Sequence, residues 1–249
     1  MAGHSHWAGI KHKKGRADKQ RSKIFSKLSK EITVAAKLGS KDPSMNSRLR
    51  SAIQSARSSN MPKENIERAI NKSEINKNID YSALVYEGFA LGKVAIIIEA
   101  LTDNKNRTVT NIRKIFQKFG GSLGESGAVA HQFHQRGIIR IDKKKISDND
   151  ILELAIKSGA EDCSSDNLHH EIITTKENFN KVKLNIEKKI KDFISSGIEW
   201  MPLNKVSLDQ EKTKSVLNFL TMLEEDDDVQ HVYANLEVDN VKPEKALTA

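Results

Sequence analysis

LVYEGFALGKVAIIIEAL, residues 84–101, reads as a β-hairpin. Two runs rich in β-branched and aromatic residues, Leu84–Phe89 and Val94–Leu101, flank ALGK at 90–93, and a Gly-bearing turn between such runs marks a strand pair. AIIIEAL within the second run is apolar with little alternation, as a central buried strand requires. Downstream, Thr102-Asp103-Asn104 offers N-caps for a helix carrying Val109, Ile112, Ile115, Phe116 and Phe119, which Gly120-Gly121 stops. A loop, GGSLGESG, then leads into a strand at Ala128–Phe133.

A second pattern follows: strand Ile138–Ile141, helix Asp148–Lys157, a short strand near Cys163, strand Glu171–Thr175, helix Phe179–Ile194, strand Ile198–Pro202. The order βαββαβ is the split-βαβ, ferredoxin-like arrangement. Strand Asn204–Leu208, helix Gln210–Leu223 and strand Gln230–Glu237 then complete the sheet begun at the hairpin. Upstream, three short helices with apolar stripes make a small bundle. The first spans residues 24–38 and ends at Gly39; the second starts at Asp42-Pro43 and buries Leu49, Ala52, Ile53 and Ala56; the third follows Asn60-Met61-Pro62 and buries Ile66, Ala69 and Ile70. The expected fold is therefore α+β: a basic three-helix bundle, then two ferredoxin-like α/β domains, one inserted in the other. The expected boundaries are 1–78 for arm and bundle, 79–134 plus 204–240 for one α/β domain, 135–203 for the inserted one, and 241–249 for a tail.

Charge is distributed unevenly. Residues 1–75 hold 17 Lys/Arg against 6 Asp/Glu, a net of +11, whereas the rest of the chain nets −3. The first thirty residues carry Lys11, Lys13, Lys14, Arg16, Lys19, Arg21, Lys23, Lys27 and Lys30 against Asp18 alone, with His4, His6, His12 and Trp7 among or just before them. No apolar period runs through residues 1–23. Such an arm is suited to neutralising phosphates and releasing their counterions, and its aromatic and imidazole rings add stacking groups that a solubility tail does not need. Arg48, Arg50 and Arg57 extend the basic character onto the second helix.

Other chemistries fare worse. One cysteine, Cys163, excludes a disulfide framework and a Cys-based zinc site. No run approaches a membrane span, and the basic N-terminus has no apolar segment of a secretory signal behind it, so a cytoplasmic location is expected. GGSLG at 120–124 matches G-x-S-x-G, but a nucleophile elbow needs a strand before it and a helix after it, and here the order is reversed. The same polarity argues against a phosphate cradle, since the glycines follow a helix's negative end. His169-His170 reads as a surface pair, and the acidic run EEDDD at 224–228 as a solvated turn able to repel phosphates. No cofactor, metal or catalytic group is expected, and with few large apolar residues outside the predicted cores a monomer is expected.

MAGHSHW at 1–7, DKQRSKIFSKLSKEITVAAKLG at 18–39, NMPKENIERAI at 60–70, VAIIIEALTDNKNRT at 94–108, GGSLGESGAV at 120–129, WMP at 200–202 and DDVQHVYAN at 227–235 resemble the YebC/PmpR family, which includes the mitochondrial translational activator of cytochrome oxidase subunit I. The resemblance implies a three-domain fold and a non-enzymatic role in gene expression. It places Trp7, Lys11, Lys14, Arg21 and Lys23 on the family's basic motif. The family's usual Gly-Pro-Gly-Gly hairpin is Ala90-Leu91-Gly92-Lys93 here, and a usual second Gly is Ser40. Two ligands fit. The family label points to DNA and transcription, with phosphate contacts from the arm and base contacts from the second helix through Arg48, Arg50, Gln54 and Arg57. Extended basic tails also suit folded RNA, on the ribosome or tRNA, where the family is linked to relief of stalling. A protein-interaction scaffold is the third reading.

Overall fold

The computed structural model describes residues 17–75 and 80–238. Three helices come first: α1 (Ala17–Leu38), α2 (Ser47–Ser58) and α3 (Lys63–Ile75). Ile32, Ala35 and Ala36 meet Leu49, Ala52, Ile53 and Ala56, with Met61, Ile66 and Ala69 closing the core. The α2–α3 joint explains its own sequence. Met61 N–H donates to Ala56 O (2.9 Å) and Asn60 N–H to Arg57 O (2.9 Å), with Asn60 at φ +59°, which together form a Schellman cap. Asn tolerates that backbone, Met61 drops into the core, and the Pro62 carbonyl receives the first turn of α3.

Two helix starts differ from expectation. Helix α1 begins at Ala17, because ADKQRSK contains no breaker even though it lacks an apolar period. Helix α2 begins at Ser47, because Asp42 closes a turn on Ser44 N–H (2.8 Å) and Asn46 supplies the cap to Leu49 N–H (3.0 Å). The Asn46 amide also donates to Ala35 O and Ser40 O, pinning α1 to α2. Gly39 is required by this contact: a Cβ there would sit 2.7 Å from Asn46 Nδ2.

The hairpin is β1 (Ser82–Ala90) and β2 (Val94–Thr102), followed by α4 (Lys105–Lys118), capped by Asn104, and a two-residue β3 (Ser122–Leu123). The second pattern is β4 (Phe133–Asp142), α5 (Asp148–Ser158), β5 (Asp162–Ser165), β6 (His169–Thr175), α6 (Phe179–Glu187) and β7 (Ser195–Pro202); α7 (Gln210–Glu224) and β8 (Val229–Ala234) end the fold. The strands form two four-stranded antiparallel sheets, ordered β3-β1-β2-β8 and β5-β6-β4-β7. The second is the split-βαβ order. The first has a different order, with the β1–β2 hairpin at its centre and β3 and β8 at its edges, its chain leaving after β3 and returning through α7. Strand β2 is central: Ile96 and Ile98 face α4 and α7, while Ala95 and Ile97 face Val129, Phe133 and Tyr233. In the second sheet Ile139, Ile141 and Ile172 meet α5 and α6.

Three expected elements are corrected. Residues 125–132 turn instead of extending from Ala128, because Gly127, Val129 and Ala130 each donate an N–H to the buried Glu87 carboxylate at 2.8 Å. Burial pushes the Glu87 carboxyl up, and the three amides outweigh it and hold it below its ordinary value. The helix expected to reach Ile194 ends at Glu187, since Ile190 and Phe193 fold into the core and Ile194 N–H already pairs with Arg140 O (2.8 Å). The strand expected at 204–208 is a single parallel bridge, Val206 to Leu236.

The hairpin turn holds Gly92 at φ +73° and Lys93 at φ +60°. Lys93 occupies a left-handed position where the resembling family places Gly. Lys93→Gly is therefore expected to raise stability by about 0.5–1 kcal/mol, the relief of the Cβ clash less the added freedom of the unfolded chain. Urea unfolding checks it: the midpoint rises with unchanged slope.

Candidate nucleic-acid interface

The structure places the basic residues of helix α1 against the protein itself. Lys23, Lys27 and Lys30 recur at helical spacing and reach the turn after α7. Lys23 Nζ donates to Glu225 O (2.6 Å), Lys27 Nζ to Glu224 O (2.8 Å), and Lys30 Nζ to Asp227 O (2.9 Å), Leu101 O (3.2 Å) and Asp228 Oδ1 (2.9 Å). A helix C-terminus presents unpaired carbonyls and the negative end of its dipole, so three amines stabilise it. The acidic run is thus a docking site for α1, and the expectation of a solvated turn fails at Asp228, which is 3% exposed. Asp228 also accepts from Arg107 Nη2 (2.7 Å) and Thr108 Oγ1 (2.8 Å). Burial pushes its carboxyl up; the bonds from Arg107, Lys30 and Thr108 outweigh that and hold it below its ordinary value.

Helix α2 docks on the second sheet's side. Lys183 Nζ donates to Ser51 Oγ (2.9 Å), Gln54 Nε2 to Lys191 O (3.1 Å) and Ser58 Oγ to Phe193 O (2.5 Å). Residues 51, 54 and 58 share one face, and the opposite face is bundle core. Gln54, expected to offer a base contact, is held in this junction. Arg48 forms a two-pronged pair with Glu31 (2.7 and 3.0 Å). Arg50 and Arg57 remain exposed, Arg50 also bonding Pro43 O and Ser44 O, and Arg21 is exposed on α1. Burial pulls the Lys183 amine below its ordinary range, Glu187 works against this, and Arg50 adds to it.

His4, His6, Trp7, Lys11, Lys13, Lys14 and Arg16 lie outside the described residues, as does the side chain of Lys19, whose backbone is in α1. Of the predicted positions, the structure brings Lys23, Lys27 and Lys30 together at one turn and Arg50 and Arg57 together on one side of α2. Sequence reading missed the partners: Arg107, Thr108, Asp228 and Lys183. One signal was available, since Asp228 ends a polar turn immediately before the apolar strand β8.

The other motifs resolve into structure. His170 is buried, against the expectation of a surface pair: as the second residue of β6 it points inward, where its ring meets Ser165 Oγ (2.7 Å) and Ile146 O (2.9 Å). Ser122 of GGSLG is exposed and lies in β3, paired with Phe89. Among the described residues, no group of His, Cys, Asp and Glu is arranged to hold a metal ion, and no helix is long and apolar enough to cross a membrane.

Comparison with known proteins gives a consistent result. Residues 5–76 match the TACO1/YebC protein N-terminal domain, and residues 81–236 match the TACO1/YebC second and third domain. The chain is 60% identical over 240 residues, 96% of its length and all of the relative's, to a Pelagibacter ubique protein named a probable transcriptional regulatory protein. It superimposes with a TM-score of 0.84, at 44% identity, on the crystal structure of a conserved hypothetical protein from Aquifex aeolicus, covering 98% of this chain and all of that one. With matches across arm, bundle and both sheets, the chain belongs to the TACO1/YebC family.

Proposed function

We propose that this protein is a non-catalytic regulator of gene expression that binds the phosphate backbone of nucleic acid through its N-terminal arm and bundle. The observation that carries the reading is the net charge of +11 on residues 1–75 beside near-neutral sheet units. The name of the Pelagibacter relative supports a role in transcription. One structural observation favours folded RNA, and with it translation, as a second reading: Gln54, the α2 side chain suited to a base edge, is held in the 51/54/58 junction, and the helix is docked on both its core and its junction faces. The side of α2 that stays exposed carries Arg50 and Arg57, whose guanidinium groups suit phosphate contacts that position the protein without reading sequence.

The test is binding of duplex DNA and of a folded RNA of equal length between 50 and 200 mM salt, comparing the full chain with one lacking residues 1–16. That deletion leaves α1 whole and removes Lys11, Lys13, Lys14 and Arg16. The expected result is a steep salt dependence for the full chain. Its log–log slope falls by about 4 on deletion, and affinity drops by tenfold or more at the lower salt. A salt-independent affinity, or one unchanged by the deletion, overturns the proposal. Preference for the RNA selects the second reading.

A further inference from the structure

The α2 junction brings a second set of cations beside those of the bundle. The turn after α6 carries Lys188, Lys189 and Lys191, all exposed. Its backbone is fastened to α2 at two points, Lys191 O to Gln54 and Phe193 O to Ser58. Arg50 and Arg57 lie seven residues apart, so they share one side of α2 at a separation of about 10 Å along its axis, close to three nucleotide steps of a strand at about 3.4 Å each. The acids nearby are matched: Asp192 pairs with Lys145 and Glu187 faces Lys183. None of the five exposed cations pairs with a carboxylate among the described residues. Lysines clustered without counter-charge at a joint between two units repel one another unless an outside anion is present.

We infer that Arg50 and Arg57 of α2, with Lys188, Lys189 and Lys191 of the following unit, form one continuous track for the phosphodiester backbone of a nucleic acid. The inference rests on the nucleic-acid reading above and deepens it, by placing part of the contact on the second sheet's unit. A bound strand then spans the junction and holds bundle and sheet unit together. The contact is to phosphates, so it is salt-sensitive and carries little sequence preference of its own.

The experiment is fluorescence anisotropy with labelled 20-base-pair DNA and a labelled RNA hairpin, using the full chain. The track variant is K188A/K189A/K191A. The control, R113A/K114A/K118A, removes the same charge from the exposed side of α4. The substituted side chains are exposed in both, and circular dichroism confirms that each folds. The expected result is a loss of about tenfold or more for the track variant, with a salt slope shallower by about 3, and little change for the control. The probe that shows the loss identifies DNA or RNA as the source of the phosphates. Equal losses in track and control variants mean that only net charge matters and overturn the track. Unchanged binding by the track variant, with the full chain still binding, overturns the track and leaves the arm reading intact. Failure of the full chain to bind either probe overturns both.

Discussion

Replacing Arg140 with methionine is expected to cost about 3–5 kcal/mol of folding stability, the usual penalty for removing one partner of a buried ion cluster. Arg140 sits on β4, in the middle of the second sheet, between the strands that carry its partners. Its Nε donates to Glu171 (2.8 Å), and its two Nη atoms donate to Glu199 (2.6 and 2.8 Å). Burial works against the guanidinium's charge, and the two glutamates outweigh it and raise its affinity for its proton. Without Arg140, two carboxylates share a sheet face with no cation between them, and Glu171 is only 3% exposed. The loss comes from stranded charge and not from lost packing. The triple variant R140M/E171Q/E199Q is therefore expected to recover most of the stability, while R140K recovers part, because an ammonium cannot reproduce the two-pronged bond to Glu199. Urea unfolding midpoints read all three. A triple variant as unstable as the single one would mean that shape, not charge, sets the cost.

The same cluster shows what a sequence can and cannot reveal. The elements were legible where apolar period and turn chemistry agreed: VAIIIEAL could only be an inner strand, and Leu49, Ala52, Ile53 and Ala56 could only be one helix face. The family was legible because long motifs run through the whole chain. What failed were readings of polar groups whose partner comes from elsewhere in the chain. EEDDD looks solvated until Lys23, Lys27 and Lys30 are seen against it, some 200 residues away in sequence. Gln54 looks like a base-reading residue until Lys191 O receives its amide. Residues 128–133 look like a strand until Glu87 gathers the amides of Gly127, Val129 and Ala130. Charge and hydrogen-bonding capacity are visible along the chain, but the choice between solvent, ligand and a distant segment is made by the tertiary fold. Basic residues of the bundle therefore divide into two groups that composition could not separate: those that hold the bundle in place and those left exposed.

Asp228 tests that division. Asp228→Asn keeps the shape and removes the charge that Lys30, Arg107 and Thr108 converge on. Lys30 and Arg107 are partly exposed, so water compensates them, and the expected cost is about 2–3 kcal/mol, below that of a sealed pair. The pH dependence has a definite sign. The folded carboxyl is held below its ordinary value of 3.8, so its contribution is complete above that value and is lost as pH falls through the lower folded one. The stability gap between the wild-type chain and D228N should then close below about pH 4, whereas a purely steric defect would persist. Lys30→Ala combined with D228N should cost less than the sum of the two, because both remove the same contact. Hydrogen exchange adds the spatial readout: α1 should lose protection together with the 224–228 turn, while the second sheet keeps its own. If α1 stays protected, the α2 junction alone holds the bundle, and Lys23, Lys27 and Lys30 are available for phosphate as the arm is. If α1 opens, those lysines serve the fold first, and the proposed phosphate contacts of the described residues fall to Arg21, Arg50, Arg57 and the lysines of the turn after α6.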